Sequence, residues 1–201
     1  EVMVQLANVT GRASDSARFA RALVAARRAY FKAYFNTTTQ DFGPTQTGNV
    51  LGILAAPSVM PGAVSRLVAN IHAQGTHVVT GAVGAHWVLQ ALTAANRTDL
   101  ALTLASTTSA PSWGWFLDNG PGTLHENWPT GPTPSGTTSG SLNHIMFGGG
   151  IGVWLYHEVG GVRLSPGMDF KLQFGIEAVV LRRVVAAAAV VSMRGHKVRS
   201  S

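Results

Sequence analysis

Apolar residues recur along the first 160 positions at spacings of three and four, the period of helices with one buried face. Residues 14–35 show it first, with Phe19, Leu23, Ala26, Tyr30 and Tyr34 on one stripe. Ser14 is placed to cap that helix, and Asp15 suits its positive end. Gln40 to Thr47 reads as a turn around Gly43-Pro44, followed by a short helix over 46–56 that stops at Pro57. Pro61 opens the next helix, 62–74, with Val64, Leu67, Val68 and Ile71 on one face and Gly75 as its C-terminal cap. Thr80-Gly81 introduces a helix over 81–95 carrying Val83, Trp87, Val88 and Leu92. Thr98-Asp99 caps another over 98–108, and Pro111-Ser112-Trp113-Gly114 marks its end.

The last helix is expected over 142–159, with Gly148, Gly149, Gly150 and Gly152 inside it. Each helical glycine costs roughly 1 kcal/mol relative to alanine, so such a helix must be buried and closely approached by its neighbours. The pattern changes at Gly160-Gly161. From Phe170 onward apolar and polar residues alternate, Val184 to Val191 is rich in Val and Ala, and Ser192-Met193-Arg194-Gly195 looks like a strand entering a turn. The expected organisation is therefore mainly α. Residues 1–161 form helical hairpins amounting to half of a twelve-helix toroid, and residues 162–201 begin an appended β module.

Composition supports a half. Of 201 residues, 46% are hydrophobic and only 12% are charged, against about a quarter charged in ordinary soluble domains. Apolar surface is thus expected to be covered by further hairpins, from the remainder of a parent chain or from a second chain. The net charge of +6 reflects scarce acids. Basic residues gather at Arg18, Arg21, Arg27, Arg28 and Lys32, and again at Arg182, Arg183, Arg194, Lys197 and Arg199, without interleaved aromatics, so no nucleic-acid partner is expected. The longest apolar run is too short to span a bilayer. With no cysteine there is neither a disulfide framework nor thiolate chemistry. Sequons at Asn8, Asn36 and Asn96 fall at expected helix ends or turns, which points to an extracellular or secreted glycoprotein.

The chemistry concentrates between Asn119 and Phe147. Glu126, one of nine acidic residues, stands between His125 and Trp128 on a Gly/Pro-rich segment, and Asn143-His144 opens the last helix. A carboxylate for proton work, aromatic faces for a sugar ring and imidazoles for its hydroxyls describe a carbohydrate-hydrolysing site. Taken singly, Glu126 is equally a solvated loop residue, His144 a helix-start residue, and Trp113 and Trp128 core; the combination carries the reading. No metal or cofactor is implied.

The order of the segments resembles the inverting α-L-rhamnosidases with an (α/α)6-barrel catalytic domain. Asp41 to Thr47 is similar to the stretch leading to that family's Gln-Thr. His77-Val78-Val79-Thr80-Gly81-Ala82-Val83-Gly84 is similar to its Thr-Gly helix start, and Ala110-Pro111-Ser112-Trp113-Gly114 to its Pro-Ser-Trp-Gly. Thr123-Leu124-His125-Glu126-Asn127-Trp128 resembles its Trp-Glu-x-Trp segment, and Ser141-Leu142-Asn143-His144-Ile145-Met146-Phe147-Gly148 its Ser-Leu-Asn-His helix start. Trp154-Leu155-Tyr156 and Gly160-Gly161-Val162 follow as in the last barrel helix.

The resemblance implies the C-terminal half of the barrel and the start of the β-sandwich behind it. It implies Glu126 as general base, His144 as a sugar contact, and Trp113, Trp128, His125 and Asn143 around the pocket, with a rhamnoside as ligand. The chain departs from the family at His125, where a tryptophan is usual, and at Asn127. Nothing in it resembles the upstream acidic segment that supplies the general acid. Inversion needs two carboxyl groups roughly 6.5–9.5 Å apart, so the acid is expected outside this chain, which alone is not competent. A non-catalytic carbohydrate-binding or structural relative, and another toroid activity such as a lyase or a different glycosidase, are the alternatives. An upstream acidic motif separates the first of these from an enzyme.

Overall fold

The computed structural model describes residues 1–56, 58, 60–119, 123–128, 140–141, 143–164 and 174–176. They divide into two compact units, Glu1–Ile151 and Gly152–Ser201. Among the described residues there are eight α-helices: α1 (Val2–Val9), α2 (Ala13–Tyr34), α3 (Gln46–Ala55), α4 (Pro61–Ala73), α5 (Ala82–Ala94), α6 (Thr98–Ser106), α7 (Trp113–Asn119) and α8 (Ile145–Trp154). Consecutive helices pair, α1 with α2, α3 with α4 and α5 with α6, and α3 lies along α5 to join the hairpins. This is a mainly helical hairpin array, consistent with a helical-hairpin barrel.

The hairpins hold together through part of the faces the pattern marked; Val83 and Trp87 of α5, named in the same apolar set, are exposed instead, and Leu89 is buried in addition. Leu67 and Ile71 of α4, Val88, Leu89 and Leu92 of α5, and Leu104 of α6 are buried. Gly75 adopts φ +69° behind α4, a left-handed conformation that glycine takes without steric cost. Its N–H donates to His72 O and that of Thr76 to Ile71 O, closing the helix end. Asn96 repeats the arrangement behind α5 with φ +58°.

Helix α5 is the centre of the array, with α3 on one flank and α8 on another. A Cβ at Gly84 would lie 2.7 Å from Thr47 Oγ1 of α3. One at Gly150 would lie 2.5 Å from His86 Cα of α5, and Gln90 Nε2 donates to Gly150 O at 3.1 Å. Close approach therefore explains Gly150. It does not explain Gly149 or Gly152, where a Cβ would meet nothing within 4 Å.

The loops at one end are tied by polar groups, most of them buried. Thr45 Oγ1 caps α3, accepting from Gly48 N at 3.1 Å. Fully buried Asn49 accepts from Phe42 N and donates to Gly43 O and Thr45 O. Gln46 Nε2 donates to His77 O, and Gln46 Oε1 accepts from Val79 N, so the starts of α3 and α5 are joined. Buried Asp41 accepts from Arg66 Nε at 2.7 Å, from Gly43 N and from Thr39 Oγ1. The Arg66 hydrogen bond, ahead of the Gly43 N–H, holds the Asp41 carboxyl below the usual carboxylate range.

Several elements differ from expectation. Helix α1 was not foreseen; it is a short apolar segment that packs on α2. Ser14 lies inside α2 instead of capping it, because the helix starts at Ala13 and Asp15 pairs with Arg12 and Arg18 across the first turn. The stripe on α2 is shallow. Phe19, Leu23 and Tyr30 are half-buried, while Ala26 and Tyr34 are exposed. Its C-terminal end is anchored by Phe42, whose ring centroid lies 5.2–5.6 Å from those of Tyr30, Phe31 and Phe35. Helix α6 ends at Ser106 and not at 108, since the Ser106 and Thr107 hydroxyls bond back to helix carbonyls and compete with its continuation. Where a helix end was expected, Ser112 instead starts α7, its Oγ accepting from Trp115 N at 2.9 Å.

In the second unit a π-helical turn, Leu155–Val159, continues α8. Strand β1 (Val162–Leu164) then pairs antiparallel with β2 (Phe174–Ile176), with Val162 opposite Ile176 and Leu164 opposite Phe174. Strand β1 thus precedes the expected start at Phe170, and β2 follows it. The segments expected as strands beyond Val179 lie outside the described residues, as does Leu142, the expected start of the last helix. No described helix is long and apolar enough to cross a membrane.

Candidate active site

The described residues 123–128 are tied to the starts of α5 and α8, and the start of α5 is in turn joined to that of α3. Trp128 Nε1 donates to Thr80 O at 2.7 Å, immediately before α5. His144 N donates to Leu124 O at 2.7 Å, immediately before α8. Glu126 N donates to Ser141 O at 2.9 Å, and Ser141 N returns a bond to Glu126 Oε2 at the same distance. Leu124 and Glu126 are therefore tied through the main chain to His144 and Ser141.

Behind them lies a continuous aromatic cluster. Trp128 stacks on Phe116 at 5.7 Å and meets Trp113 and Phe147 edge-on at 5.4 and 4.7 Å. His125 lies 5.1 Å from Phe116, and His144 5.8 Å from Phe147. Trp113 Nε1 donates to Phe147 O at 3.0 Å, which ties α7 to α8. Such ring pairs add roughly 0.5–1.5 kcal/mol each beyond area burial.

Of the six candidate residues, the structure brings Trp113, Trp128, His125 and His144 into this cluster and sets Glu126 at its edge, half-buried. Trp113 and His125 are buried, 3% and 7% exposed, so they are wall and not surface. Asn143 is exposed, and its N–H donates to Ser141 Oγ at 3.1 Å. His144 Nδ1 and Thr80 Oγ1 are buried with no hydrogen-bond partner among the described residues. Such groups are costly unless something polar meets them.

Sequence reasoning passed over Phe116, Phe147, Thr80, Gly140 and Ser141 as members of this arrangement. Phe116 carries no motif of its own, and Phe147 lies inside the Ser-Leu-Asn-His segment without a role of its own. Ser141 and Thr80 lie inside the family-like segments, but it is the Ser141 main chain that bonds Glu126 and the Thr80 carbonyl that accepts from Trp128. Among the described residues no group of three or more His, Cys, Asp or Glu could hold a metal ion.

The family model of the bacterial α-L-rhamnosidase six-hairpin glycosidase domain matches residues 1–159, and the chain belongs to that family. It is 31% identical to an α-L-rhamnosidase of Streptomyces avermitilis over 174 residues, 84% of this chain and 16% of that protein. It is 31% identical to an α-L-rhamnosidase of an Alteromonas species over 148 residues, 65% of this chain and 16% of that one. The crystal structure of the Streptomyces avermitilis enzyme, complexed with L-rhamnose, superposes with a TM-score of 0.71 over 87% of this chain and 17% of that chain. The native Aspergillus terreus α-L-rhamnosidase gives 0.67 at 25% identity, over 82% of this chain and 20% of that chain. The chain thus spans less than a fifth of the length of the curated relatives it matches.

Proposed function

We propose that this chain is part of a glycoside hydrolase that cleaves α-L-rhamnosides with inversion, and that Glu126 is its general base. The described hairpins are half of an (α/α)6 toroid, completed by the remainder of the parent chain. The paired strands after Gly161 begin a β-sandwich. The general acid belongs to the remainder. The observation that carries this reading is the placement of Glu126, the carboxylate of the aromatic segment. Its N–H and one carboxylate oxygen are bonded to Ser141, and the segment that carries it is bonded through Leu124 O to His144 N at the start of α8.

In this reading Glu126 takes a proton from water attacking the anomeric carbon, while the acid protonates the leaving oxygen from the opposite face. Trp128 offers the sugar an apolar face. His144 supplies a polar contact, consistent with an imidazole nitrogen that has no partner among the described residues. Asn143 lies beside it at the rim. Trp113 and His125 support the wall from behind.

In the full-length protein, Glu126→Gln is expected to abolish hydrolysis of an aryl α-L-rhamnoside while rhamnose binding by calorimetry persists, because only proton abstraction is lost. Wild-type turnover in that variant refutes the base. A wild-type parent that binds rhamnose but hydrolyses nothing is instead a carbohydrate-binding relative. An extracellular location goes with the three sequons, whose asparagines are all exposed. Protein from a eukaryotic host is expected to lose mass on deglycosylation at Asn8, Asn36 or Asn96.

A further inference from the structure

We infer that the backbone at Gly140-Ser141 is a positioning element that sets where the Glu126 carboxylate stands. The inference rests on the reading of Glu126 as base and adds what holds it. Glu126 and Ser141 exchange two bonds: the Glu126 N–H donates to Ser141 O, and the Ser141 N–H donates to Glu126 Oε2, both at 2.9 Å. Register is kept on one side by His144 N on Leu124 O and within the turn by Asn143 N on Ser141 Oγ. One carboxylate oxygen is thereby fixed to the main chain.

Gly140 makes that bond possible. Its φ of +110° is a conformation L side chains rarely adopt. A Cβ built there lies 2.7 Å from Glu126 Oε2, 3.2 Å from Glu126 Cδ and 3.1 Å from Asn127 Nδ2. The nearest atom is the end of a flexible side chain. A residue with a Cβ at 140 would therefore push the carboxylate aside before it disturbed the helices. A base that must meet a water at hydrogen-bond distance is sensitive to such a shift, since a 1 Å misplacement can cost about 10²-fold in rate. A glycine needed only for the turn would not couple to chemistry in this way.

The test uses the full-length enzyme and 4-nitrophenyl α-L-rhamnoside, with melting temperature measured alongside. Gly140→Ala is made conventionally. In a second variant Ser141 is replaced by its α-hydroxy analogue, which exchanges the amide N–H for an ester oxygen and adds no bulk. Both are expected to lower kcat by about tenfold or more with KM within about twofold. If Gly140→Ala does not fold, the ester variant decides alone. An ester variant with wild-type kcat, or one in which only KM rises, overturns the inference. Glu126→Gln run in parallel separates the two readings. If it is inactive while the ester variant is unaffected, the base stands and the positioning role falls. If it is active, the reading of Glu126 itself has failed.

Discussion

Trp128 shows how one side chain joins the site to the scaffold. Its indole N–H reaches Thr80 O, and its ring contacts Trp113, Phe116 and Phe147. Trp128→Phe keeps a ring but leaves the Thr80 carbonyl without that donor. It is expected to cost about 1–2 kcal/mol of stability, read by denaturant unfolding. Asp41 accepts from Arg66, Gly43 and Thr39, and its carboxyl is held below the usual range first by the Arg66 hydrogen bond. A depressed carboxyl contributes stability that is present above its unfolded pKa, about 3.9, and lost as pH falls through the folded value. The melting-temperature gap between wild type and Asp41→Asn is therefore expected to be largest near neutrality and to close below about pH 4. Of these residues, the sequence marked Trp128 by its neighbourhood. It could not mark Asp41 as buried, because Arg66 is 25 positions away and the Gly43 N–H is a backbone group.

Among the elements, periodicity located α2 to α6 and the helical stretch 145–159 to within a few residues. A stripe of buried residues leaves that signature whatever it packs against. It missed α7, where three aromatics follow a proline-serine pair, because a seven-residue helix holds too few turns to display a period. There the cap is the stronger signal. Ser112→Ala removes the acceptor for Trp115 N and is expected to cost about 0.5–2 kcal/mol. In α8 the glycines divide. Gly150→Ala puts a methyl against the α5 backbone at His86 and is expected to cost about 1–3 kcal/mol, checked by thermal unfolding. At Gly149 no such neighbour exists, so the same change lacks that penalty. Sequence alone could not distinguish these two, since both simply lack a side chain.

For the whole molecule, the informative feature is apolar surface left uncovered. Val2, Met3, Leu6 and Val9 of α1 are 49–73% exposed, and α2 buries none of its residues fully. If the toroid is completed by the remainder of the parent, Leu6→Glu is expected to lower the melting temperature of the full-length protein and leave this 201-residue chain almost unchanged. Equal effects in both would mean that α1 is not covered by the parent chain. The helical hairpins, the change of pattern near Gly160 and the carboxylate-aromatic segment were legible in the sequence, because helix period and local composition are properties of neighbouring residues. Tertiary structure alone decided that Trp113 and His125 are wall, that Thr80 accepts from Trp128, and that the Ser141 N–H holds Glu126. Each of these is a bond or contact between residues 9 to 48 positions apart. Three of the four contacts use a backbone group, which every residue carries and no sequence distinguishes.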